Sequence, residues 1–215
     1  MKKFLIFIVI IFCAVQGFAQ NGVIKELTGT VELKRAGQAN FVAARAGDQV
    51  ARDTIVSTGF KSTALITVGS TVLTVRPLTR LSLAEISAAA GTETINVNLQ
   101  TGRVRVEVDP PAGTRASATV HGHTATASVR GTIFEFDTEV LTVIEGTVTF
   151  QGTAGVPMLV SAGSTSEVTA AGQAADPIAT GAAEFRPPPM PGIESGYREE
   201  PTFVRGEVHF GLELH

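Results

Sequence analysis

Two histidines separated by one glycine have the spacing in this sequence that most resembles a metal site. His121-Gly122-His123 places both imidazoles on one face of a predicted strand. Such a pair can bind Zn²⁺ or Cu²⁺ when a third ligand completes the site. His209, Glu107 or Asp109 would have to supply that ligand. Because the chain has no second clustered pair, exposed histidines on a sheet are the favoured interpretation, and no metal or other cofactor is predicted.

Basic side chains form a second candidate cluster. Arg103 and Arg105, together with Lys61 and Arg76, could make a small patch that binds an anionic glycan. The simpler interpretation is the charged outer face of a sheet. Glycan binding is therefore kept as an alternative.

No arrangement of residues typical of a hydrolase is found. Ser and Thr are plentiful, but none lies in a nucleophile elbow, and paired carboxylates are sparse. Glu199-Glu200 is interpreted as part of a solvated tail. The sequence predicts a protein that is not an enzyme and names no catalytic residue.

The first 19 residues have the features of a signal peptide. Lys2 and Lys3 precede an unbroken apolar stretch from Phe4 to Val15, and Gly17-Phe18-Ala19 offers a cleavage site after Ala19. An uncleaved N-terminal anchor is the alternative. A lipoprotein is rejected because Cys13, the single cysteine, lies inside the apolar stretch after the large Phe12. These features predict a periplasmic, secreted or cell-surface protein.

Cleavage would change the composition of the mature chain. It would leave 215 − 19 = 196 residues and, by removing two lysines and no acid, shift the net charge from −3 to −5. The mature chain would contain no cysteine, which excludes disulfides, thiol catalysis and thiolate metal sites. A mildly acidic chain with 17% charged residues also lacks the basic patches of a nucleic-acid-binding protein.

The body of the chain has the alternating pattern of short β-strands. Ile95 to Leu99 and Val104 to Val108 alternate apolar and polar residues, and clusters of Gly, Asp, Ser and Pro separate such segments. Only Ala84 to Ala90 could form a turn of helix, which Gly91 would end. The predicted class is all-β, either a short irregular β-solenoid or β-roll, or alternatively a β-sandwich.

A weak internal repeat accompanies this pattern. A Gly, one further residue and then a β-branched residue open a predicted strand at irregular intervals, which does not establish a regular solenoid. The five glycines are Gly29, Gly102, Gly131, Gly146 and Gly206.

The composition changes along the chain and suggests domain boundaries. Residues 20–152 form the β domain, and residues 153–185 are an Ala/Gly/Ser/Thr-rich extension with further strands. Residues 186–201 form a stiff Pro-rich linker. Residues 202–215 alternate again, which predicts a terminal strand that docks on a sheet edge of this chain or of a partner.

An ordered set of short motifs resembles the FecR domain over about Gly29 to Gly152. It consists of a Gly-Asp, a strand ending in Thr-Gly, a Gly-Ser turn, a Leu-x-Val-x-Pro segment, a Leu-x-x-Gly-x-Val strand, a Val-Arg-Gly-Thr turn and a Val-x-x-Gly-x-Val closure. The matching residues are Gly47-Asp48, Thr54 to Gly59, Gly69-Ser70, Leu73 to Pro77, Leu99 to Val104, Val129-Arg130-Gly131-Thr132 and Val143 to Val148.

The resemblance implies a function but also leaves a gap. Regulatory FecR proteins resemble anti-sigma factors with a cytoplasmic domain and a membrane span, whereas here the predicted signal peptide leads straight into the domain. Some relatives cleave themselves at a Gly-Thr bond, which would correspond to Gly131 and Thr132. The favoured interpretation of Val129, Arg130, Gly131 and Thr132 is a structural turn in which Gly131 takes a positive φ and lets backbones pass closely.

These observations predict a non-enzymatic interaction module of the bacterial envelope that binds protein partners through β surfaces. One alternative is an extracytoplasmic component of an envelope or iron-uptake signalling system. The other is an accessory protein that binds carbohydrate or peptidoglycan.

Overall fold

The structure is a computed structural model, and it describes residues 21–89 and 91–180. The predicted signal peptide, Pro-rich linker and terminal strand lie outside these residues. Within them, no helix is long and apolar enough to cross a membrane.

The described residues form 18 strands in two nine-stranded sheets. In the first sheet the order is β18-β17-β14-β13-β10-β7-β6-β1-β4, with β1 Gly22–Thr28, β4 Gln49–Val50, β6 Thr63–Val68, β7 Thr71–Val75, β10 Arg103–Val108, β13 Ile133–Asp137, β14 Val140–Glu145, β17 Ser164–Glu167 and β18 Ile178–Ala179. In the second sheet the order is β16-β15-β12-β11-β9-β8-β5-β2-β3, with β2 Val31–Lys34, β3 Val42–Ala43, β5 Ile55–Thr58, β8 Arg80–Ala89, β9 Thr92–Thr101, β11 Arg115–His121, β12 Ala125–Val129, β15 Thr147–Gly152 and β16 Met158–Ser161.

The chain passes back and forth between the sheets as it advances along them. From β5 onward it usually places a hairpin in one sheet and then a hairpin in the other, so neighbouring strands run antiparallel. Between β9 and β11 it visits the first sheet with the single strand β10, and these two strands are therefore parallel. One intervening strand requires two reversals of chain direction, which leave β9 and β11 parallel, whereas an intervening hairpin requires three, which leave the flanking strands antiparallel.

A single apolar core lies between the two sheets. Alternate residues of the strands point inward, and those of both sheets belong to one buried cluster. Phe136 of the first sheet meets Phe150 of the second edge-to-face, with ring centroids 6.0 Å apart. The all-β prediction is confirmed, and the arrangement of two stacked sheets is that of the alternative, the sandwich.

The helical turn expected at Ala84 to Ala90 is wrong. Residues 80–89 form strand β8, which pairs with β9 along most of its length. Local alanine content favours a helix only weakly, and the pairing with a ten-residue neighbour overrides it.

The repeated glycines mark the points where the chain crosses from one sheet to the other. Gly29, Gly102, Gly131 and Gly146 each lie between a strand of one sheet and a strand of the other. All four have positive φ, from 61° at Gly131 to 85° at Gly102. Because a left-handed backbone turns the chain sharply, glycine is favoured at these crossings. The irregular spacing reflects the varying number of strands between crossings.

Candidate interaction surface at one end of the sandwich

The turn at Val129 to Thr132 connects the two sheets. Val129 ends β12, Arg130 and Gly131 are exposed, and Thr132 is buried immediately before β13. The carbonyl of Thr132 accepts a hydrogen bond of 2.9 Å from the amide of Val108. The motif therefore positions Thr132 and the following strand against the core.

The close backbone approach expected at Gly131 is not found there. A Cβ added to Gly131 would have Pro110 as its nearest neighbour, 4.0 Å away. One added to Gly146 would come within 2.5 Å of the Thr132 side chain. Packing is tight at Gly146 because its loop lies over Thr132, whereas Gly131 faces open space.

The Thr132 hydroxyl is buried and has no hydrogen-bond partner in the part of the chain that the structure describes. A threonine nucleophile is normally activated by an adjacent base. Self-cleavage at Gly131-Thr132 stays the untested alternative to a structural turn. An intact mass without a fragment that begins at Thr132 would exclude it.

The two candidate metal ligands do not share a strand face. Strand β11 ends at His121, and His123 lies in the turn that follows. The Nδ1 atom of His121 is 3.3 Å from the Thr126 hydroxyl, and both histidines are exposed. Among residues 21–89 and 91–180, no three His, Cys, Asp or Glu side chains are close enough to hold a metal ion. The proposed ligand His209 lies outside those residues.

Three of the four residues of the predicted basic patch face carboxylates on the outer side of the first sheet. Arg76 Nε lies 3.1 Å from Glu135, and an Arg103 guanidinium nitrogen lies 3.2 Å from Asp137. Arg105 Nε lies 2.7 Å from Glu107. The cross-strand register places Arg103 and Arg105 opposite Asp137 and Glu135. This surface is a ladder of mixed charges, so it lacks the uniform positive potential that would attract a polyanion.

The fourth basic residue belongs to a different feature, a pair of exposed apolar side chains. Phe60 is 74% exposed and Leu78 is 60% exposed. Phe60 lies in the crossing from β5 to β6, and Leu78 lies in the crossing from β7 to β8. The Leu78 amide donates a 3.2 Å hydrogen bond to the carbonyl of Gly59, so the two loops are adjacent. We call Phe60 and Leu78 the apolar corner.

Buried hydroxyl groups hold the loops of the apolar corner in place. The Thr58 hydroxyl donates to the carbonyl of Arg76 at 2.6 Å and accepts from the amide of Thr79 at 3.0 Å. The Ser62 hydroxyl donates to the carbonyl of Phe60 at 3.1 Å and accepts from the amide of Thr30 at 2.8 Å. Because these bonds are buried or partly buried and connect separate strands, the loops are fixed rather than adaptable.

The apolar corner also contains strained backbone. Lys61 and Leu78 have φ values of 53° and 56°, in the left-handed region that side chains other than Gly, Asn and Asp rarely adopt. Such residues persist where surrounding structure fixes them, and they concentrate at functional sites. A leucine in this left-handed conformation lowers the stability of the fold, and its side chain exposes apolar surface. Both features suit a residue that contacts a partner.

A charged cleft of about 820 Å³ adjoins the apolar corner. Pro77 and Leu78 line the cleft together with the Arg76–Glu135 and Arg103–Asp137 pairs. Glu139 also lines the cleft and has no ion-pair partner among the described residues. The combination of apolar anchors with a polar rim is typical of protein interfaces.

Sequence reasoning singled out Lys61 and Arg76 but missed the two apolar residues. The signal was available, because Phe60 follows a predicted Thr-Gly turn and Leu78 follows Arg76-Pro77. A large apolar residue in a predicted turn has no core position to occupy.

Residues 53–149 match the family described as FecR protein. Over this span the chain is similar to the FecR family. The match begins at Asp53 and ends at Thr149, so it includes the apolar corner, the charged cleft and the Val129 to Thr132 turn. The FecR resemblance seen in the short motifs is confirmed over this span.

Two crystal structures of a "putative anti-sigma factor" from Parabacteroides distasonis ATCC 8503 are similar in fold to this chain. They are 16% and 15% identical, with TM-scores of 0.45 and 0.44. Each comparison covers 56% of this chain and 57% of the other, so the likeness spans little more than half of that protein. No curated protein matches the sequence.

Proposed function

We propose that this chain is a non-enzymatic interaction module of the bacterial cell envelope that binds a protein partner through the apolar corner and the adjoining cleft. The observation that carries the proposal is the pair Phe60 and Leu78, exposed on loops that buried hydroxyls hold rigid. A preformed apolar surface loses little conformational entropy on binding. The predicted signal peptide supports an envelope location.

The partner can be sought by site-specific photocrosslinking in intact cells of the native host. A photoreactive phenylalanine analogue at position 60 should crosslink to a discrete partner, because Phe60 is 74% exposed. The change Leu78→Asn should reduce that crosslink at least tenfold, since truncation of an apolar anchor in an interface costs more than about 1.4 kcal/mol.

A matched substitution separates lost contact from altered backbone. Lys61→Asn changes the other left-handed residue of the corner but removes no apolar side chain. It should leave the crosslink intact. A crosslink of equal strength in the Leu78→Asn protein would argue against the apolar corner as the binding surface.

The FecR match favours a second candidate function, an extracytoplasmic component of an envelope or iron-uptake signalling system. In that case the crosslinked partner would be a membrane regulator. Replacing the chromosomal copy with the Leu78→Asn variant should then alter sigma-factor-dependent transcription. Unchanged transcription with a lost crosslink would support the interaction module without the signalling role.

A further inference from the structure

Strand β16 is the longest of the four strands that end the two sheets in the described part of the chain. The second sheet ends at β16, which pairs with β15 on one side only. It has four residues, whereas the other three sheet edges, β3, β4 and β18, have two each. Very short edge strands are one way in which proteins avoid pairing with other chains. β16 lacks this protection.

The backbone groups of Leu159 and Ser161 point away from β15. The amide of Ala162 donates a 2.9 Å hydrogen bond to the carbonyl of Gly146, which fixes the phase of the antiparallel ladder. Val160 and Met158 then exchange hydrogen bonds with β15, since bonded pairs recur at every second residue. The N–H and C=O groups of the two intervening residues face the open edge.

This edge is uncharged and apolar. Residues 146–166 contain no Lys, Arg, His, Asp or Glu. Leu159 is 67% exposed and the neighbouring Val156 is 77% exposed. Natural sheet edges are commonly guarded by charged side chains, and no such side chain is present here. An incoming strand would meet no opposite charge, so an uncharged strand suits the edge better than a charged one.

We propose that the open edge of β16 accepts an extended, uncharged strand of a partner protein, which lengthens the second sheet by β-augmentation. The inference rests on the proposed function in taking the partner to be a protein. The strand exchanges backbone hydrogen bonds with Leu159 and Ser161 and places an apolar or β-branched side chain beside Leu159. A second copy of the chain is the alternative occupant, and it would pair through its own four-residue edge.

A peptide copying residues 146–152 is a suitable probe. These residues include β15, the strand that pairs with β16 on its other side, and they carry no charge. The acetylated and amidated peptide is titrated into the full ¹⁵N-labelled chain and followed by amide chemical shifts. We expect saturable shifts at Leu159 and Ser161. Absence of saturable shifts at these two amides would overturn the proposal.

Substitutions at position 159 distinguish edge pairing from general adhesion. Leu159→Pro removes an N–H that the β15 ladder does not use, and proline is tolerated on edge strands in that position. It should keep the fold and weaken peptide binding at least tenfold. If Leu159→Pro does not fold, Leu159→Lys serves in its place, with Val42→Lys on the edge strand β3 as the matched control. Equal binding by a folded position-159 variant would overturn the proposal.

Two further results separate this inference from its alternatives. Leu78→Asn should leave peptide binding unchanged, so a failure at the apolar corner and a failure at the edge can be told apart. Light scattering of the chain without peptide tests the second copy as occupant. Self-association that Leu159→Lys abolishes would assign the edge to a second copy and contradict the proposal.

Discussion

Leu78 combines a strained backbone with an exposed apolar side chain, and both can be relieved by one substitution. Asparagine tolerates the left-handed region far better than leucine does, so Leu78→Asn should raise the free energy of unfolding by about 1 kcal/mol. Urea denaturation measures the change. Lys61→Asn should give a similar gain because Lys61 has the same conformation. A loss of stability in the Leu78→Asn protein would show that Leu78 packs against the fold.

The glycines with positive φ differ in how much space surrounds them for a side chain. Gly102 has φ of 85°, and an added Cβ would come within 2.5 Å of the Thr79 Cα and 2.7 Å of the Leu78 carbonyl. Gly113 has nearly the same φ of 86° but nothing within 4 Å. Gly113→Ala should therefore cost about 1 kcal/mol, from backbone strain alone. Gly102→Ala should cost at least about 2 kcal/mol more, because backbone atoms must move. Equal losses in urea denaturation would contradict the close approach at Gly102.

Residue types predicted part of this. The positive φ expected at Gly131 is found, and Gly146, which shares the pattern of a Gly, one further residue and a β-branched residue, also has a positive φ. Which glycine is tightly packed was not predictable, because that depends on the loop that crosses it from a distant part of the chain. The exposure of Phe60 and Leu78 could have been predicted, because both follow turn residues, but their closeness in space depends on loops that are distant in sequence.

At the scale of elements, the ladder across β7, β10 and β13 consists of partly exposed ion pairs. The Arg76 and Glu135 side chains are 39% and 21% exposed. Glu135→Gln should lower the free energy of unfolding by no more than about 1 kcal/mol, since water competes with such pairs. The loss should shrink in high salt. A double-mutant cycle with Arg76→Gln in urea denaturation isolates the pair. A coupling above about 2 kcal/mol, insensitive to salt, would show a buried pair instead.

Strand patterns were predictable wherever apolar and polar residues alternate strictly. Ile95 to Leu99 and Val104 to Val108 fall within β9 and β10. The pattern failed at Ala84 to Ala90, since small residues fit a helix or a strand and only the pairing with β9 decides. The partner of each strand was not predictable either. The parallel pairing of β9 with β11 results from the single strand between them.

At the scale of the whole molecule, the apolar core extends beyond the family match. Val160 of β16 is fully buried, and the Ser166 hydroxyl of β17 donates a 2.7 Å hydrogen bond to the Ala175 carbonyl. Strands β16 and β17 pair with β15 and β14, the last strands before the predicted boundary at residue 152. Because the chain alternates between the two sheets, each further strand covers buried side chains of the strands before it. Residues after 152 should therefore contribute to the same cooperative unit.

Truncation tests this expectation. A chain of residues 20–152 lacks β16 to β18, which exposes the inner faces of β14 and β15, including Phe150. Losing the cover over such a residue should cost several kcal/mol, by analogy with the 3–5 kcal/mol typical of large core truncations. A chain of residues 20–185 is the control, because it keeps all 18 strands. Urea denaturation should show one transition for the longer chain and a markedly lower midpoint, or no folded baseline, for the shorter one. Equal midpoints would mean that the strands after residue 152 pack on a core that is already complete.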